Sequence, residues 1–178
     1  KGGGGGSYAS GGTNAAKDGG SGGGGGHPSG AIGDGFNVAN GDATNQGYDG
    51  GTPTSSATGR GGGGGGAGGA GTAPTGANIG GTGGAGVAST ISGTSVTRAA
   101  GGGGGDDSET AQNAMGGSYE ANGSGVHLGG QGRGATAGTH DYQKGAANTG
   151  SGGGGVGYNG TSGAGADGIV ILRYKFQN

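Results

Sequence analysis

Three histidines, His27, His127 and His140, and the acidic run DDSE, with Asp106, Asp107 and Glu109, are the residues of this chain best suited to holding a metal or moving a proton. The histidines fall on different segments with no pair at metal-ligand spacing, so they read as surface residues. The three carboxylates could hold a hard cation through their oxygens; the plainer reading is a solvated acidic loop. Ser, His and Asp all occur, yet nothing in their order brings a nucleophile, a base and an orienting acid together. GAGADGIVI, residues 163–171, has the glycine and Asp167 spacing of half a calcium-binding β-roll repeat, but that site needs tandem copies and one is present. It reads as a turn. GxGxxG recurs in runs such as GGSGGGGG without a strand before it or a helix after it, and GxxxxGK[ST] does not occur. Arg60 and Arg133 sit in GRG contexts, but a chain of formal net charge −2 lacks the cations that neutralising phosphates requires. The chain therefore reads as non-enzymatic, with no cofactor, no metal and no nucleic-acid partner.

What remains is surface for binding. Tyr8, Tyr48, Tyr119 and Tyr142 lie between glycine runs, and tyrosine offers a large, rigid contact area with a polar tip. Tyr48, Tyr119, His127, His140 and Tyr142 are the recognition candidates. The alternative is that single tyrosines lid the ends of the fold. Residues 106–128 and 135–149 are expected to gather at one end and carry the recognition.

These loops must be held by something, and side chains are scarce. Of 178 residues 63 are glycine, two are phenylalanine, and none is tryptophan or cysteine, too little for an ordinary apolar core or a disulfide framework. Charge-driven disorder does not fit a chain with 10% charged residues. No run of about 18 apolar residues occurs, so no membrane span is expected, and KGGGGGSYAS lacks the apolar stretch of a signal peptide. Glycine is clustered at 2–6, 19–26, 59–71, 80–86, 101–105, 129–134, 150–157 and 160–168, the last two read together as one rod over 150–168. The segments between hold nearly all the charged and aromatic residues. Isolated Gly/Ser stretches are flexible linkers, but so many runs of similar length, each followed by a loop, predict rods instead. The expected fold is a bundle of polyproline-II-type (polyglycine II) helices with a few short strands and essentially no α-helix. Such a helix repeats every three residues, makes no internal hydrogen bonds and tolerates only glycine where it crowds a neighbour. Gly59, Gly62, Gly65, Gly68 and Gly71 form one every-third series, and Gly154, Gly157, Gly160 and Gly163 another.

Two segments break the pattern. VASTISGTSVTRAA, 87–100, predicts a hairpin turning at Ser92-Gly93-Thr94. GIVILRYKF, 168–176, predicts a C-terminal strand with Val170, Leu172, Tyr174 and Phe176 on one face and Ile169, Ile171, Arg173 and Lys175 on the other. One strand with such a face is not stable alone. It is expected to pair with an upstream segment or across a subunit boundary, which makes Ile169, Val170, Ile171, Leu172, Tyr174 and Phe176 candidates for assembly.

GVASTISGTSVTRAAGGGGG, GAANTGSGGGG and GADGIVILRYKFQN, in that order, resemble the glycine-rich tail-fibre and virion-appendage proteins of bacteriophages, particularly those of marine bacteria and cyanobacteria. The likeness covers roughly residues 59–178, and GIVILRY at Gly168–Tyr174 is its most specific part. It implies a structural or host-binding protein of the virion or the extracellular space. A homo-oligomer or fibre is implied, facing a host-surface glycan or outer-membrane protein. Members of that family commonly open with an apolar strand before the first glycine run, whereas this chain starts at Lys1-Gly2. The expectation is a single glycine-rich domain, 1–178, as a fragment or terminal domain of a longer structural protein. Two other readings stand beside it. One is a self-assembling extracellular filament subunit. The other is an ice-binding protein, since the antifreeze proteins of snow fleas are also glycine-helix bundles. Those use flat faces of small residues and disulfides, neither evident here.

Overall fold

Without a Cβ, two backbones can approach until the amide of one meets the carbonyl of the other directly. This chain uses that freedom as its main packing device. The computed structural model describes residues 24, 47–54, 59–75, 79–106, 128–132, 144–157 and 161–175. Among them there is no helix, and the strands are β1 (Val87–Ser89) and β2 (Val96–Arg98), paired antiparallel.

The glycine segments are joined by backbone hydrogen bonds that recur every third residue. Gly61, Gly64 and Ala67 donate to the carbonyls of Gly105, Gly102 and Ala99 at 2.9, 2.8 and 2.8 Å. On another side, the carbonyls of Arg60, Gly63 and Gly66 accept from Thr54, Gly51 and Tyr48. The carbonyls of Gly61 and Gly64 accept from Gly81 and Gly84, and the amides of Gly63 and Gly66 donate to Thr72 and Gly69. One short segment thus serves four neighbours from its backbone alone. A β-ladder alternates every two residues; a repeat of three turns successive amides to different sides. Residues 99–105 do the same, reaching 61–67, 81–84, Gly130 and 149–155. Neighbours run both ways: 81–84 lie parallel to 61–64, and 99–105 antiparallel to 61–67.

The spacing between backbones leaves no room for side chains. A Cβ at Gly62 would overlap the carbonyl of Gly51, and one at Gly102 the carbonyl of Gly153. The core is correspondingly lean. Among the described residues its buried apolar members are Ala100, Leu128 and Val156, with Asp106 and Ser151 as buried polar ones. Ser151 belongs to the backbone network, since its Oγ accepts from the Ala100 amide at 3.1 Å and from Thr149 Oγ1 at 2.8 Å.

The straight hydrogen-bonded segments are shorter than the glycine runs. Residues 59–71 bend at Ala67–Gly69 and return, so that Gly63 and Gly66 bond Thr72 and Gly69 on the way back. The 150–168 run likewise reverses, with Gly163 and Ala166 donating to Gly154 and Ser151. Both every-third series therefore straddle a reversal and do not mark one rod each. The bend at Ala67–Gly69 falls where the neighbours 80–86 and 99–105 give way to β1 and β2, whose side chains rule out the close approach that glycine allows. Two segments assigned to loops are also bonded here: 48–54 pairs with 60–66, and Gly145 and Ala146 donate to Ala164 and Leu128.

The hairpin at 87–98 forms as the sequence predicts, with Val87 opposite Arg98, Ala88 opposite Thr97 and Ser89 opposite Val96. It prolongs the pair that Gly104 and Gly101 make with Gly81 and Gly84, in the same register. The repeat falls from three residues to two where β-branched residues replace glycine. Gly93, at φ 99°, supplies the turn and donates to the Thr90 carbonyl. No such ladder exists over 168–175 among the described residues. Residues 168–175 form no strand, because none of the described residues pairs with them.

Candidate functional site

Two places combine side-chain chemistry with a definite position. The first is an ion pair. Arg60 follows the first glycine of one segment and Asp106 the last glycine of another. The antiparallel register that matches Gly61 with Gly105 brings them opposite each other one step further on, as an isolated bridge. Arg60 Nε lies 3.6 Å from Asp106 Oδ2, and the side chains are 15% and 1% exposed. A second bridge joins Arg60 to Thr54. A buried carboxylate needs a cation close by, and here the pair ties three backbone segments together. Asp106 is thus not part of a solvated acidic loop. Asp107 and Glu109 lie outside the described residues. Among the described residues no three His, Cys, Asp or Glu gather as metal ligands.

The second is the segment 168–175. Val170, Leu172 and Tyr174 are 87%, 86% and 84% exposed, while Ile169 is 48% exposed and Ile171 intermediate. This alternation matches the two faces expected of an extended strand: one leans on the protein, and the fully apolar one looks outward. Its backbone makes no hydrogen bond to any described residue. The chain is anchored just before it, where the Asp167 carbonyl accepts from Gly150 at 2.9 Å and Ala166 donates to Ser151. Large apolar side chains in water are unusual when they stand side by side. Elsewhere among the described residues the exposed large apolar side chains are Tyr48, Val87 and Ile91, the last two on the hairpin.

Of the recognition candidates, Tyr48 is exposed, but its amide is bonded to Gly66, so it stands on a segment of the backbone network. Tyr119, His127, His140 and Tyr142 lie outside the described residues, as does Phe176 among the assembly candidates. The structure brings Ile169, Val170, Ile171, Leu172 and Tyr174 together on one segment. Sequence reasoning missed the Arg60–Asp106 pair. The available signal was a cation and an anion flanking two glycine runs at ends that meet when the runs are antiparallel. No helix among the described residues is long and apolar enough to cross a membrane. The chain matches no protein-family model, no curated protein and no solved structure.

Proposed function

We propose that the chain is a non-enzymatic structural protein of a phage tail fibre or virion appendage. In this reading its glycine segments are polyglycine II helices, and the longer segments between them recognise a host surface. The observation that carries the reading is the three-residue repeat of hydrogen bonds between glycine segments, which is the repeat of a threefold polyproline-II helix. That helix has no internal hydrogen bonds, so its backbone groups are free for neighbours on every side, parallel or antiparallel. A framework of this kind is thin, and its joining segments carry the side chains that can be varied without disturbing it. The resemblance of the segments around GVASTISGTSVTRAAGGGGG and GIVILRY to virion-appendage proteins supports the virion setting. An antibody raised against the purified chain tests it by immunogold electron microscopy of virus particles and cells from the source culture. Label at the tips or tails of particles is the expected outcome. Label confined to the interior of cells would overturn the reading.

A second reading, a self-assembling extracellular filament subunit, is favoured by one observation, the exposed apolar face of Val170, Leu172 and Tyr174. Label along continuous fibres in the same experiment would select it.

A further inference from the structure

We propose that residues 167–175 pair with the same residues of a second copy of this chain, antiparallel about a two-fold axis through Ile171. This goes beyond the virion reading and does not depend on it. The segment offers a backbone edge that no described residue pairs with and a wholly apolar outward face, the combination that invites strand addition. What decides the occupant is how the sequence meets itself. About Ile171, Val170 falls opposite Leu172 of the second copy and Ile169 opposite Arg173. Asp167, which is exposed, falls opposite Lys175, so an anion faces a cation at both ends of the ribbon. Tyr174 falls opposite Gly168, where a side chain would meet nothing within 4 Å, which leaves room for the ring.

Competing arrangements fare worse. In-register parallel pairing would set Arg173 on Arg173 and Lys175 on Lys175, and like charges directly opposite are unfavourable. An antiparallel axis at Leu172 would put Lys175 against Ile169 and lose the contact with Asp167. An axis at Val170 would need the backbone of residues 165 and 166, where the Ala166 amide is already bonded to Ser151; about Ile171, hydrogen-bonded pairs at 170–172 and 168–174 leave the Asp167 carbonyl to Gly150. The ribbon about Ile171 collects Val170, Leu172 and Tyr174 of both copies on one apolar face. A two-stranded ribbon is marginal by itself; stacking this face on that of another ribbon completes it, so assembly proceeds in even numbers of copies.

The test uses the full chain in sedimentation velocity and multi-angle light scattering over a range of concentrations. A dimer or higher even oligomer in equilibrium with monomer is expected; a monomer at every concentration, or a trimer, overturns the proposal. The chain has no cysteine, so single cysteines report the register. With a short thiol-to-thiol cross-linker, Ile171→Cys is expected to form a covalent dimer, and Ile169→Cys, far from its own mate, is not. Equal cross-linking at both positions, or cross-linking at Leu172→Cys in preference to Ile171→Cys, overturns the register. Lys175→Glu faces Asp167 with a like charge and is expected to weaken association roughly tenfold. The double reversal Asp167→Lys, Lys175→Glu is expected to restore it. Association unchanged by the single reversal, or not regained in the double, overturns the charge pairing. Circular dichroism of each variant separates loss of pairing from loss of fold.

Discussion

Residues 60–67 and residues 168–175 are stretches of similar length that solve opposite problems. The first has almost no side chains and bonds four neighbours through its backbone. The second carries Ile169, Val170, Ile171, Leu172 and Tyr174 and bonds none of the described residues. Glycine lowers the distance at which backbones can meet, and that closeness replaces a hydrophobic core. Bulky residues forbid such closeness, and their segment must bury its face elsewhere. Stability in this protein therefore tracks the absence of side chains in one region, and the proposed association their presence in the other.

The largest expected effect comes from placing a side chain where the first region has none. Gly62→Ala pushes a methyl group into the Gly51 carbonyl and is expected to destabilise by more than about 4 kcal/mol, beyond most single substitutions. Urea unfolding followed by circular dichroism measures it, and a loss near 1 kcal/mol would refute the tight spacing. Next comes Arg60→Ala, which removes the cation facing the buried Asp106 carboxylate; a loss of about 3 kcal/mol is expected. The paired change Arg60→Met with Asp106→Asn should recover most of it, as read in a double-mutant cycle.

Ala99 carries a Cβ at φ 57°, where the chain passes from β2 into its glycine segment. Ala99→Gly relieves a left-handed conformation that disfavours any Cβ and is expected to stabilise by about 1 kcal/mol, visible as a rise in Tm. The smallest effect on stability belongs to the second region. Leu172→Ser touches an exposed side chain and should change unfolding free energy by less than about 0.5 kcal/mol while abolishing self-association. A large loss of stability would mean that the segment is packed within its own chain.

The absence of helix among the described residues and the hairpin at 87–98 were legible in the sequence, the hairpin because Gly93 and the β-branched residues around it are local signals. Glycine clustering pointed to backbone packing, but not to where each rod ends. That depends on what neighbours distant in sequence place alongside, here glycine giving way to the hairpin, which is why the reversal at Ala67–Gly69 was hidden inside an unbroken glycine pattern. The strand expected at 168–176 is not formed over the described residues 168–175, although the alternation that suggested it survives in the exposures of Ile169 to Tyr174. The alternation says which face is apolar and nothing about what pairs with the edge. Arg60 and Asp106 escaped because an ion pair between glycine runs is invisible until their direction and register are known.

The central claim is that glycine backbones hold this fold together by hydrogen bonds recurring every third residue, and native-state amide hydrogen exchange by NMR tests it most directly. The amides of Gly61, Gly64, Gly103 and Gly104, all bonded between segments, are predicted to exchange at least about a thousandfold more slowly than in an unstructured peptide. Those of residues 169–175 in the monomer are predicted to exchange almost as fast as in such a peptide. Unprotected amides at Gly61, Gly64, Gly103 and Gly104 would contradict the account.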